Sequence, residues 1–82
     1  MLFRSAGKTL DGAVAQVVAC LRDPYDPARA QAARAVGQFS ASAAKSAKGL
    51  KAQLLELWRG DASLPVRQAA ERAVGHLTKF GL

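Results

Sequence analysis

The sequence predicts an all-α fold of four antiparallel helices, forming two stacked helical hairpins as a short α-solenoid. Three observations predict it. First, a stretch of seventeen residues occurs twice, as Asp23–Phe39 and Asp61–Leu77. A shift of 38 superimposes Asp23 on Asp61, Pro27 on Pro65, Arg29 on Arg67, Ala32 on Ala70, Arg34 on Arg72, Ala35 on Ala73, Val36 on Val74 and Gly37 on Gly75. Second, four segments carry apolar residues at helical spacing. Third, the connections are short and marked by proline or glycine. A repeat of this period is the sequence sign of a helical solenoid. Short connections make consecutive helices antiparallel neighbours.

The first helix is expected from about Lys8 to Arg22, on the stripe Leu10, Val14, Val17, Val18 and Leu21. Asp11 near its start suits the helix dipole. Pro24 and Pro27 then stop it. Asp26 before Pro27 reads as an N-cap with proline at the first helical position. The second helix is expected from Pro27 to about Phe39, on Ala28, Ala32, Ala35, Val36 and Phe39.

Ser40–Gly49 is small and polar and reads as the link between the repeats, with Ser40 or Ser42 as a cap. The third helix is expected to begin between Ala43 and Leu50 and to end near Arg59. Leu50, Leu54, Leu57 and Trp58 form its stripe, and Leu55 broadens it. A shift of 37 places Val17, Val18, Leu21 and Arg22 on Leu54, Leu55, Trp58 and Arg59, so the helix before each turn repeats as well. The second turn then reads as one residue longer than the first. Gly60 suits a helix end that needs a left-handed residue. The fourth helix is expected from Pro65 to about Lys79, on Val66, Ala70, Ala73, Val74 and Leu77, with Phe80–Leu82 trailing from it. The whole chain is one domain: repeat one at about 8–39, a linker at about 40–46 and repeat two at about 47–80.

Two antiparallel helices, a turn carrying aspartate, and Pro-Val-Arg opening a helix that ends in Ala-Val-Gly-x-Leu together resemble the HEAT-repeat family. The resemblance covers nearly the whole chain, as two consecutive repeats. The second is the better match, in Asp61, Val66, Arg67, Ala70, Ala73, Val74, Gly75 and Leu77. The first carries Ala28 where the family usually has a larger aliphatic residue. The resemblance implies a ladder in which turn aspartates pair with the arginines that open the following helices. Its members here are Asp23, Arg29, Asp61 and Arg67, and Arg29 or Arg67 is expected to reach a turn aspartate of the neighbouring repeat. It also implies that these charges are structural, and that the chain is a scaffold.

Composition narrows the function classes. The 82 residues carry 12 Lys+Arg against 6 Asp+Glu, a formal net charge of +6, which favours anionic partners. An acidic protein face or anionic lipid headgroups fit such a chain. Nucleic acid fits less well, for want of interleaved aromatics and of a reading motif. The single cysteine, Cys20, allows no internal disulfide and suits a reducing, intracellular setting. With His76 as the one histidine, a zinc site of the usual Cys/His kind is not expected, nor is any cofactor. No apolar run is long enough for a transmembrane span. The start, with Arg4, Ser5, Lys8 and Thr9 and no acid, has the flavour of a mitochondrial targeting end.

No catalytic constellation emerges. His76 lacks a nucleophile or carboxylate placed for it. Cys20 flanks an apolar stripe with only Arg22 within a turn. Gly37 and Gly75, inside helices, read as permitting close packing. Lys45, Lys48 and Lys51 fall in an acid-free stretch and would share one face if it were helical, a candidate anion-binding face. Trp58 is a candidate interface anchor. Val74, Leu77, Phe80 and Leu82 read as an apolar end after the last repeat, and Leu2 and Phe3 as another at the start. Partner proteins are therefore expected to cover the ends. The expected function is non-enzymatic: a helical-repeat interaction or structural accessory subunit, in a mitochondrial energy-converting membrane complex. The alternatives are an RNA-binding accessory component such as a ribosomal protein, and a prokaryotic HEAT-like interaction module.

Overall fold

The computed structural model describes residues 6–82, with side chains from residue 13 onward. Among these residues the chain is all-helical, with five helices and no strand: α1 (Ala6–Cys20), α2 (Asp26–Val36), α3 (Ala41–Ser46), α4 (Leu50–Gly60) and α5 (Leu64–Thr78). Helix α2 packs on α1 and α5, α4 packs on α5, and α3 packs on α1. The expectations for Leu2, Phe3, Arg4 and Ser5, and for the side chains of Lys8, Thr9, Leu10 and Asp11, lie outside the described residues.

The helix α3 departs from the sequence expectation, which held only four helices. It lies in the stretch read as a linker. Ser40 caps it, its Oγ accepting the Ala43 N–H at 3.1 Å, while Ala43 and Ala44 are each only 3 % exposed. A six-residue helix of alanine, serine and lysine has no bulky stripe to announce it. It owes its place to the cap and to alanine burial. Ser42 is exposed and does not cap. Replacing Ser40 by alanine is expected to cost about 1 kcal/mol in urea-unfolding free energy, the usual value of an N-cap oxygen. Ser42→Ala should leave the transition where it was.

Three local expectations are corrected by the backbone. Asp26 is not the cap of α2; Tyr25 holds that position and no side chain caps it. The turn is tied instead by Asp23, whose Oδ1 accepts the Tyr25 N–H at 2.8 Å. Gly60 is not left-handed: it is the last helical residue of α4, and among the described residues positive φ occurs only at Gly49 (φ 73) and Gly81 (φ 80). Because α4 runs on to Gly60, the second connection is also the shorter of the two, Asp61–Ser63 against Leu21–Tyr25. At the other end, Gly81 allows a Schellman closure of α5. Its N–H donates to the Thr78 carbonyl at 2.9 Å, and the Leu82 N–H to the Leu77 carbonyl at 3.3 Å.

The largest fully buried side chains are Leu21, Leu54, Leu77, Val36 and Val66. Alanines fill the space between them, so the helices approach closely but each contact buries little area. The α5 stripe of Val66, Ala70, Ala73, Val74 and Leu77 is buried as expected. The α2 stripe is rotated. Ala30 and Ala33 are buried, whereas Ala28, Ala35 and Phe39 are only half-buried. An expectation of a single apolar face cannot describe α2, because it is covered from two sides, by α1 and by α5.

Candidate interaction surface

The most connected polar group is Arg29, in the first turn of α2. Its Nε donates to Asp61 Oδ2 at 2.8 Å and its Nη2 to Asp61 Oδ1 at 3.1 Å. Its Nη1 donates to the carbonyls of Asp23 at 2.8 Å and Pro24 at 3.1 Å. The Arg29 side chain is 17 % exposed and that of Asp61 5 %. Asp61 Oδ1 also accepts the Ser63 N–H at 2.9 Å. The Arg29 hydrogen bonds hold the Asp61 carboxyl below the usual carboxylate range. Ser63 assists, and burial pushes the other way. The same bond raises the Arg29 guanidinium.

The two turns repeat their bonding. Asp23 serves Tyr25 as Asp61 serves Ser63. Arg67 Nη1 donates to the Asp61 carbonyl at 2.7 Å, as Arg29 does to that of Asp23. Arg29 alone of the two arginines also reaches the carboxylate of the other turn, because only α2 has a turn following beside it. The structure thus brings Arg29 and Asp61 into one ion pair and leaves the carboxylate of Asp23 and the guanidinium of Arg67 out of it.

The three lysines do not lie on one helix. Lys45 lies in the last turn of α3, Lys48 in the turn that follows, and Lys51 in α4. The extended backbone at Ala47 and the left-handed Gly49 separate them. Lys51 Nζ donates to the Leu82 carbonyl at 2.7 Å, so it ties down the chain end.

The expected apolar end after the last helix is largely spent inside. Val74 is 8 % and Leu77 1 % exposed. Phe80 is half-buried, its ring edge-on to His76 at a centroid distance of 4.9 Å. Leu82 (37 %) and Trp58 (39 %) are exposed, together with Leu64 and Tyr25. Sequence patterning missed the last two because they open helices or sit in turns, off any stripe. Cys20 is half-buried. The His76 Nε2 lies 2.7 Å from the Phe39 carbonyl, which can only accept, so Nε2 carries the proton and is engaged. Among the described residues, no group of three or more His, Cys, Asp or Glu is placed to hold a metal ion, and no helix is long and apolar enough to cross a membrane.

A groove of about 650 Å³ runs between α2 and α5. Arg34, Arg72 and Lys79 line it above a floor that includes Gly37, Ala73 and Gly75. Sequence reading places Arg34 in an acid-free stretch and matches it to Arg72 by repeat register, but nothing in it puts the two in one groove. Glycine inside a helix costs about 1 kcal/mol relative to alanine. The chain's own packing does not require it at position 75, where an added Cβ would meet nothing within 4 Å. At Gly37 a Cβ would press on the Arg34 carbonyl at 3.2 Å. Comparison with protein-family models, curated proteins and solved structures returned no match.

Proposed function

We propose that the chain is a non-catalytic helical-repeat interaction subunit of a larger assembly. In this reading α1–α2 and α4–α5 are two HEAT-like hairpins, stacked with α3 as their link. The observation that supports it is how burial differs at equivalent positions. Ala32 and Ala70 are buried in both copies, as are Val36 and Val74. Ala30 and Ala33 are buried in α2, while their equivalents Gln68 and Glu71 are exposed in α5. Ala69 and Ala73 are buried in α5, while Gln31 is exposed and Ala35 half-buried in α2.

That pattern is what a translational stack requires. Positions facing the hairpin's own partner helix are buried twice. Positions facing forward are buried only in the first copy, and those facing backward only in the second. Side-chain chemistry follows the same rule, because Gln68 and Glu71 stand where a third hairpin would need alanine. Polar residues at such places are how end repeats stay soluble. The Arg29–Asp61 pair fits as the strut between the hairpins. A protein of this kind works by presenting a rigid face, and Trp58, Leu64 and Tyr25 are its exposed large side chains. Within this proposal the mitochondrial complex remains the setting suggested by the basic start of the sequence.

The test is the size of the native particle. In extract from the natural source, resolved under non-denaturing conditions, the protein is expected in a species several times the mass of its own denatured chain. Its recovery solely as a monomer at native concentration would overturn the proposal.

A further inference from the structure

The groove between α2 and α5 differs from the rest of the surface in charge and in floor. Arg34 and Arg72 are the two copies of one repeat position, and both are exposed. Helix packing brings them into a single groove with Lys79. Among the described residues no acidic side chain lines it, and the Arg29–Asp61 ion pair lies elsewhere. Three cations therefore face one concavity with no carboxylate in it. Its walls also hold Gln38 and Gln68, whose amides can both donate and accept.

We propose that this groove binds an extended acidic segment of a partner protein. The segment's carboxylates pair with Arg34, Arg72 and Lys79, and its main chain lies over Gly75. The inference rests on the interaction-subunit reading and names the chemistry of the partner. Charge complementarity selects an anionic occupant. The open space above Gly75 lets a backbone approach the helix closely, which accounts for a glycine the chain itself does not need. The two glutamine amides suit the N–H and C=O groups of a main chain.

A nucleic acid fits less well. No Phe, Tyr or Trp lines the groove to stack on bases, and the His76 ring is already engaged by Phe80 and the Phe39 carbonyl. A bilayer would need large apolar side chains beside the cations, and the apolar lining is alanine.

The experiment titrates the full chain into a fluorescein-labelled ten-residue peptide of alternating glutamate and alanine, read by anisotropy at low salt. The double variant Arg34→Glu/Arg72→Glu is expected to weaken binding at least tenfold. The double variant Lys45→Glu/Lys48→Glu changes net charge equally, from +6 to +2 at two charges per substitution, and should change binding less than twofold. Gly75→Leu should weaken binding at least fivefold without lowering the thermal midpoint. Circular dichroism should show parental helix content for all variants. If the Arg34→Glu/Arg72→Glu protein loses helix, Arg34→Gln/Arg72→Gln carries the comparison.

Equal losses in the two charge variants, or no binding of the peptide at all, would overturn the groove as the site. Unchanged binding by Gly75→Leu would overturn the placement of the main chain. Tighter binding of a ten-nucleotide oligouridylate, lost in Arg34→Glu/Arg72→Glu, would replace the acidic segment by nucleic acid. If these results fail while the native particle stays large, the groove proposal falls and the interaction-subunit reading stands. A monomeric native protein is the separate result that removes that reading.

Discussion

Leu54→Ala is expected to lower the unfolding free energy by about 3 kcal/mol, within the roughly 2–5 kcal/mol seen for leucine truncation in packed cores. Leu54 is fully buried in the middle of α4. It belongs to one cluster with Leu21, just past α1, Val36 of α2 and Leu77 of α5. The other core positions are mostly alanine, with little volume to move into the hole, so the cavity should persist. A domain of this size has a total stability on the order of 4–12 kcal/mol. The loss is therefore a large share of it, and the thermal midpoint should fall by roughly 12–24 °C. Leu64→Ala is the matched control, since Leu64 is 53 % exposed. It should change stability by about 0.5 kcal/mol or less. Similar losses in the two variants, measured by urea unfolding, would show that the cluster around Leu54 is not the centre of the fold.

Residues such as Leu54, Val66 and Leu77 were readable from sequence because a bulky side chain at helical spacing has one good destination. Ala30 and Ala33 were not. Alanine is common on both faces of α2, and only the presence of α5 on its second side decides which alanines are covered. Helix α3 was hidden for a related reason: its signal was a serine cap and two small residues, with no periodic bulk. The Asp26–Pro27 pair satisfied the rule for a cap followed by proline, but Tyr25 took the cap position and Asp23 tied the turn. The candidate sites divide in the same way. Arg34 and Arg72 could be matched by register alone. That they share one groove depends on α2 lying beside α5, which is tertiary. The shared face of Lys45, Lys48 and Lys51 depends on one continuous helix, and the left-handed Gly49 and extended Ala47 break that helix.

Asp61→Ala is expected to destabilise the protein by about 1.5–3 kcal/mol at pH 7, the range for charge-assisted hydrogen bonds lost from a half-buried site. Three bonds go at once, two from Arg29 and one from the Ser63 N–H. Arg29 keeps the Asp23 and Pro24 carbonyls, so its charge is not stranded and the loss stays below that of a fully orphaned ion. Asp23→Ala removes one exposed bond, to Tyr25, and should cost much less. The two effects must separate if Asp61 joins the two turns while Asp23 ties only its own. The dependence on pH follows from the direction of the shift. The Asp61 carboxyl is held lower in the folded chain than in the unfolded one, chiefly by Arg29. The unfolded chain therefore binds its proton first as pH falls. The contribution is fully present above the unfolded value, about 3.9. It declines below that value and is lost as pH passes through the lower folded one. Thermal midpoints of parent and Asp61→Asn should differ most at neutral pH and draw together as the pH falls below the unfolded value. In a double-mutant cycle with Arg29→Met, the coupling with Asp61→Asn should be favourable at pH 7 and vanish over the same interval. A coupling that did not weaken as acid was added, or a gap that widened, would mean that the ion pair is not what joins the two turns.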